Sequence, residues 1–300
     1  DKIIPNFTLH IRSVTKRISF SAENCCQCLS FFYQFFHILN KKSAEKFTCN
    51  IKSKILLSEM ERWVGRVALV TGASSGIGAA LCESLARSGM KVVGIARGVE
   101  HIKSLSEKLK GSKGSLLPLK CDLTKEADIR NVFDTIKKEL GGVDICVNNA
   151  GLTNGKGILD STVEEMHEQS NVNVIALCLC SQLTIQSMRE RGVDDGHIIN
   201  INSTAGHAVA PRASKFYTAT KYAVRAITEG LRQEMREAKS HIRITSLSPG
   251  LVETQFAFRA YGEEKANQFY KSIECLQGHD VANAILHIIS SPKHVEVSIC

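Results

Sequence analysis

From Arg66 onward, short apolar runs alternate with longer stretches in which apolar residues recur every three or four positions. The short runs predict strands at Arg66–Thr71, Lys91–Ile95, Ser115–Lys120, Val143–Asn148, His197–Asn202 and Arg243–Leu247, with a seventh at Val295–Ile299. The early runs are continuous Val, Ile and Leu rather than alternating, as strands buried on both faces require. The longer stretches predict helices at Ile77–Ser88, Lys125–Leu140, Val163–Arg191, Ala213–Ala238 and Asp280–Ser290. Strand and helix alternating at this spacing imply right-handed crossovers and an α/β fold with a parallel sheet covered on both sides. No repeat or low-complexity linker interrupts the pattern, so residues 60–300 are expected to form one domain.

Residues 1–59 do not share this pattern. Their apolar stretch at 28–39 is too short to span a bilayer and is broken by Gln34 and His37, so no stable membrane insertion is expected. It lacks the small-residue cleavage site of a secretory signal and is followed by Asn40-Lys41-Lys42. Two readings compete, a membrane-surface anchor and a disordered or non-native extension. The second is preferred because Met60-Glu61-Arg62-Trp63 reads as a natural start.

Charge changes the picture little. The formal net charge is +8, but residues 1–59 hold nine Lys/Arg against four Asp/Glu and so account for +5 of it. The remainder shows no basic stripe interleaved with aromatics, which excludes a nucleic-acid partner. The hydrophobic fraction of 43% is that of a globular protein with a core. Cys25-Cys26-x-Cys28 lacks the paired halves of a zinc site, and no metal is expected. Cys178 and Cys180 read as buried apolar thiols, and the cysteines as reduced, which suits a cytoplasmic location.

The first chemical signal follows the first predicted strand: Thr71-Gly72-Ala73-Ser74-Ser75-Gly76-Ile77-Gly78. Gly72, Gly76 and Gly78 let backbone approach a pyrophosphate, Ser74 belongs to the same cofactor loop, Ser75 could add a hydroxyl to a 2′-phosphate, and Ile77 opens a helix whose unpaired amides favour an anion. The second strand ends in Ala96-Arg97, where an acid would bind the ribose 2′-hydroxyl of NAD. Ala96 removes that charge and Arg97 offers a bidentate partner to a 2′-phosphate, which points to NADP(H).

The second signal is Tyr217-Thr218-Ala219-Thr220-Lys221 within a predicted helix. Residues four apart share a helix face, so phenol and ammonium meet in one space. A free tyrosine titrates near about 10, and a neighbouring cation is expected to lower that value toward one useful to a general acid/base. Ser203, just past the fifth strand, could hydrogen-bond a substrate carbonyl. Asn148-Asn149-Ala150-Gly151 closes the fourth strand at the same edge, and Asn173 lies on a helix where it could hold a relay water.

Together the TGASSGIG, NNAG, serine, YxxxK and Ser248-Pro249-Gly250 segments, in this order, resemble the short-chain dehydrogenase/reductase family over essentially residues 60–300. The resemblance implies a single Rossmann-type, doubly wound parallel sheet of seven strands in the order 3-2-1-4-5-6-7. It implies a catalytic tetrad of Asn173, Ser203, Tyr217 and Lys221, with Lys221 also holding the nicotinamide ribose. It gives Asp122, with Leu123, the adenine; Asn149, with Ala150 and Gly151, the ribose region; and Thr254, with Pro249, Gly250 and Val252, the nicotinamide end. A finer similarity rests on runs such as MERWVGRVALVTGASSGIGAA, VDDGHIININS, FYTATKYAV and SPGLVETQFAF, and implies small lipophilic alcohols and carbonyls, isoprenoid or steroid, as substrates. Asn202 departs from the family, which often carries a second serine there.

Residues 251–276 concentrate Phe256, Phe258, Tyr261, Phe269 and Tyr270 and are expected to form a substrate lid, with a helix pair packed on the sheet edge as the plainer alternative. The predicted helices at 163–191 and 213–238 are expected to pair across a two-fold axis, as in the family's homodimers and homotetramers. Two rivals come from other classes. A cofactor-binding scaffold or interaction protein without turnover is expected to lack the tyrosine or the lysine, and both are present. A membrane-anchored interaction module would depend on residues 1–59.

Overall fold

A computed structural model describes residues 9–12, 17–20, 60–209 and 214–298. The chain divides into two compact units, Asp1–Ile55 and Leu56–Cys300. Of the first unit, the described part is an antiparallel pair, Leu9–Arg12 with Arg17–Phe20. The other residues of 1–59, on which the anchor and extension readings turn, lie outside the described residues.

The second unit holds a six-stranded parallel sheet. In chain order its elements are β1 (Val67–Thr71), α1 (Gly76–Arg87), β2 (Lys91–Ala96), α2 (Val99–Lys108), β3 (Ser115–Lys120), α3 (Glu126–Leu140) and β4 (Ile145–Asn148). After these come α4 (Val163–Ser170), α5 (Ala176–Glu190), β5 (His197–Ile201), α6 (Lys215–Glu237), β6 (Arg243–Leu247), α7 (Gln255–Tyr261), α8 (Glu263–Ser272) and α9 (Gly278–Ile289). The strand order is β3-β2-β1-β4-β5-β6, so the order reverses between β1 and β4. That reversal opens a crevice at the carboxyl edge of the sheet, where open α/β folds bind ligands.

The continuous apolar runs have the expected cause. All five residues of β1 are buried, Ala68 and Val70 in the core cluster with α1 and α9, Val67 and Leu69 in the one with α3, α5 and α6. A strand that alternates between two cores cannot alternate with water. The residues from Met60 onward belong to this packing. Trp63 is fully buried, its Nε1 donates to the Ile289 carbonyl at 2.8 Å, and Arg62 donates to the Ile289 and Ser291 carbonyls. Two guanidinium groups, those of Arg62 and Arg243, thus satisfy carbonyls at the end of α9 that the helix leaves unpaired.

The structure differs from expectation in three places. The seventh strand is not formed as far as Ser298; residues there reach β6 through one backbone bond, Ser246 N–H to the Ser298 carbonyl at 3.0 Å, while Ile299 lies outside the described residues. α2 was not expected: it buries only Ile102, with Leu105 partly buried beside it, and exposes Glu100, Lys103, Glu107 and Lys108, so its apolar signal is thin. The single helix expected over 163–191 is interrupted by a π-helical turn, Asn171–Ile175, between α4 and α5. Such wide turns gather at functional sites, and this one carries Asn173.

Candidate active site

The glycine turn is shaped by what glycine lacks. A Cβ on Gly78 would sit 2.3 Å from the Gly72 carbonyl oxygen and 2.6 Å from Asn149 Nδ2. At Gly76, where φ is +56°, it would sit 2.8 Å from the Thr254 methyl. Ser75 stands at the N-cap of α1 without a side-chain bond to the first turn, so those amides keep their capacity for an anion. This uncapped helix start behind a close-packed glycine turn fits the pyrophosphate of a dinucleotide. Asn149 braces the turn: its Nδ2 donates to the Thr71 carbonyl at 2.8 Å, and the Asn149 and Ala150 amides donate to Thr71 Oγ1 at 3.0 and 2.9 Å.

Four side chains meet at the carboxyl ends of β4 and β5. Ser203 follows β5, accepts from the Ala205 amide at 3.1 Å and lies close enough to the Tyr217 phenol to pull its pKa down. Tyr217 and Lys221 lie one turn apart on α6, with Lys221 Nζ 5.7 Å from the Tyr217 ring centre. Nζ also donates to the Ile201 carbonyl at 2.7 Å, which holds the buried ammonium against the end of β5. Asn173 accepts from the Leu152 amide at 2.9 Å and donates to the Leu152 carbonyl at 2.9 Å and to Thr220 Oγ1 at 3.0 Å. Gly151 forms the floor between them: a Cβ there would lie 3.5 Å from Asn173 Oδ1 and 3.8 Å from Lys221 Nζ.

The electrostatics correct one expectation. Burial pushes the Tyr217 phenol up to about 12, with nearby Ser203 acting the other way and Tyr261 adding to the rise. Burial likewise pulls Lys221 down to about 8. In the protein alone, desolvation outweighs the pull of the ammonium, whose nearest partner is a carbonyl.

A family model described as short chain dehydrogenase matches residues 66–265, two thirds of the chain. The chain belongs to the short-chain dehydrogenase family. Dehydrogenase/reductase SDR family member 11 of Bos taurus is 53% identical over 243 residues, covering 79% of this chain and 95% of that protein. Farnesol dehydrogenase of Aedes aegypti is 44% identical over 241 residues, covering 79% and 95%. Among solved structures, the closed form of serine dehydrogenase complexed with NADP+ superposes with a TM-score of 0.71 at 31% identity, covering 78% of this chain and 92% of that one. The finer resemblance read from the sequence is therefore shown, and with it an oxidoreductase of the dehydrogenase/reductase type.

In this dehydrogenase the residues expected at the adenosine end lie at the ends of β2 and β3. Ala96 is buried, while Arg97 projects outward and pairs with Glu168 of α4 at 3.6 Å. The Asp122 carboxylate accepts from the Thr124 amide at 3.1 Å and its hydroxyl at 2.8 Å; chiefly that backbone bond, helped by Arg97, lowers its pKa. Leu123 packs on the second core cluster.

The segment expected as a lid is closed at its base. Val252 bridges Leu276 in parallel, the Glu253 amide donates to the Leu276 carbonyl at 2.8 Å and the Leu276 amide donates to that of Leu251 at 3.0 Å. Between these ties stand α7 and α8. Thr254 caps α7 and leans on Gly76, and the Thr204 amide donates to the Pro249 carbonyl at 3.2 Å. Phe256 packs on Tyr217 with centroids 5.5 Å apart, and Phe258 on Tyr270 at 5.8 Å. The Phe269 side chain lies outside the described residues.

Several contributors gave little signal in sequence. Thr71 and Thr220 are ordinary within their elements until the fold turns their hydroxyls toward Asn149 and Asn173. Gly155, with φ +71°, admits the Tyr261 ring, which would stand 2.8 Å from a Cβ there. Asn202 is buried against Gly206 with both carboxamide atoms lacking partners, a cost the substitution alone did not reveal. Cys180 is buried as expected, whereas Cys178 is only half-buried.

Proposed function

We propose that this enzyme passes hydride between NADP(H) and a lipophilic alcohol or carbonyl, such as farnesol/farnesal or a 3- or 17-keto/hydroxysteroid. The observation that carries the reading is the Tyr217 phenol, close enough to Ser203 to feel it, one helical turn from a buried lysine and packed on the aromatic Phe256. In the reductive direction Tyr217 gives its proton to the substrate oxygen, Ser203 orients that oxygen, and Lys221 supplies positive charge beside them. Asn173 positions the Leu152 backbone and Thr220 next to the lysine. The nicotinamide, when bound, supplies the hydride; the chain supplies geometry and field. Gly72, Ser74, Ser75, Gly76, Ile77 and Gly78 would hold its phosphates, Arg97 its 2′-phosphate, and Thr254 and Val252 the nicotinamide end.

The lipophilic substrate is supported by the Phe256 and Tyr261 rings over the site and by the farnesol dehydrogenase relative. We read the enzyme as cytoplasmic and as a homodimer or homotetramer. Among the described residues no helix is long and apolar enough to cross a membrane. The test is the purified full chain with NADPH and NADH against farnesal, ketosteroids and diacetyl. NADPH is expected to give the higher kcat/KM. Arg97→Gln should raise the KM for NADPH about tenfold or more, since a charge-assisted bidentate contact is worth roughly 1.5–3 kcal/mol, and leave that for NADH within about twofold. Higher efficiency with NADH in the native enzyme overturns the cofactor assignment.

A further inference from the structure

Arg97 has a protein carboxylate at the place where the proposed cofactor would bring a phosphate. Its Nη1 lies 3.6 Å from Glu168 Oε1, joining the end of β2 to α4 across more than seventy residues of sequence. The pair is not a by-product of helix packing. Glu168 has Glu164 and Glu165 one turn before it and Asn171 and Val172 one turn after, so its own helix offers no cation at contact spacing. Glu165 is committed elsewhere, to the Thr162 capping box and to Lys156. Asp122, the other carboxylate in reach of Arg97, is tied to Thr124. Glu168 is therefore the acid that faces this guanidinium without a competing cation among its helix neighbours.

We infer that Glu168 sets cofactor affinity by competing with the 2′-phosphate for Arg97, rather than serving as a mere surface ion pair. The inference rests on the reading of Arg97 as the 2′-phosphate partner. A phosphate arriving at Arg97 shares the guanidinium with the carboxylate or displaces it, and in either case lies beside it as a like charge. When the cofactor leaves, Glu168 replaces it. Both side chains are about half exposed or more, at 63% and 47%, so the effect is moderate and screened by salt.

The experiment is calorimetric titration of the full chain with 2′,5′-ADP and with 5′-AMP, probes that differ only in the 2′-phosphate, using native protein, Glu168→Gln and Arg97→Gln. Glu168→Gln is expected to bind 2′,5′-ADP about three- to tenfold more tightly and 5′-AMP unchanged, the size expected for relief of one exposed like-charge contact. The gain should shrink in 0.5 M salt, on the order of the drop in Debye length, and grow as pH rises through about 6, where the phosphate takes its second charge. Unchanged or weaker 2′,5′-ADP binding by Glu168→Gln overturns the inference, because it makes Glu168 a bystander or a positioner of Arg97. If Arg97→Gln fails to weaken 2′,5′-ADP relative to 5′-AMP, the reading of Arg97 itself falls, and this inference with it.

Discussion

Replacing Tyr217 with phenylalanine is expected to lower kcat for carbonyl reduction by about 10³-fold, within the 10²–10⁴ range for a lost general acid, while Kd for NADPH stays within about threefold. The substitution removes one hydroxyl and nothing else of weight. The ring keeps its packing on Phe256 and its place beside the Lys221 ammonium, so the wall of the crevice survives. What goes is the proton proposed for the developing alkoxide, with the phenol oxygen that lies near Ser203. Because burial holds the phenol at about 12, the native tyrosine is protonated throughout the neutral range and is ready as an acid in reduction without waiting on pH. Steady-state loss of reduced-nicotinamide absorbance gives kcat, and nicotinamide fluorescence gives Kd. Turnover that survives the substitution would falsify the role of Tyr217.

The fold was readable because its strands are buried on both faces. β1, β2 and β4 put consecutive residues into opposite cores, which leaves continuous apolar runs that no helix of similar length imitates. The site was readable where a short spacing determines a meeting, as for Tyr217 and Lys221 on one helix, or where only glycine fits, as at Gly78. Three things were not. At the π-helical turn Asn171–Ile175 the buried positions are the polar Gln169 and Asn173, so no break in an apolar pattern marks it and the helix read as continuous. As far as Ser298, the edge beyond β6 is met by one backbone bond from Ser246 and otherwise by side chains, with Arg232 bonded to Glu296 and Ser298 and Thr245 Oγ1 donating to the Val297 carbonyl, where a strand ladder was expected. The sign of the Tyr217 shift was misread for a related reason. Spacing reports that a cation is near, but not that the lysine is buried and the phenol desolvated, nor that the ammonium is already bonded to Ile201. Pairings between distant segments, such as Arg97 with Glu168, leave no local pattern at all.

Lys221 supplies the second large effect. Lys221→Met is expected to cut kcat/KM for reduction by about 10²–10³-fold below pH 8, the scale of losing one preorganised electrostatic partner of the developing oxyanion. Its pKa makes the pH profile diagnostic. Burial brings the lysine down to about 8, so the ammonium is present below that value and is lost as pH rises through it. Tyr217, at about 12, does not titrate in the same window. Native kcat/KM for reduction should therefore be flat near pH 7 and fall about tenfold per unit once Lys221 deprotonates, whereas the methionine variant should stay flat across the same range. Stability separates this from unfolding. A base whose folded pKa is depressed binds fewer protons folded than unfolded between about 8 and its ordinary value, so native stability rises with pH there. Methionine removes the cost of burying the charge at neutral pH and leaves the Ile201 carbonyl without its partner, two terms of opposite sign. Denaturant unfolding is thus expected to show a variant whose stability no longer climbs between pH 8 and 10. A variant that stays folded and keeps native activity would remove the ammonium from the chemistry, and one that loses activity with the native pH profile intact would assign the titration to another group.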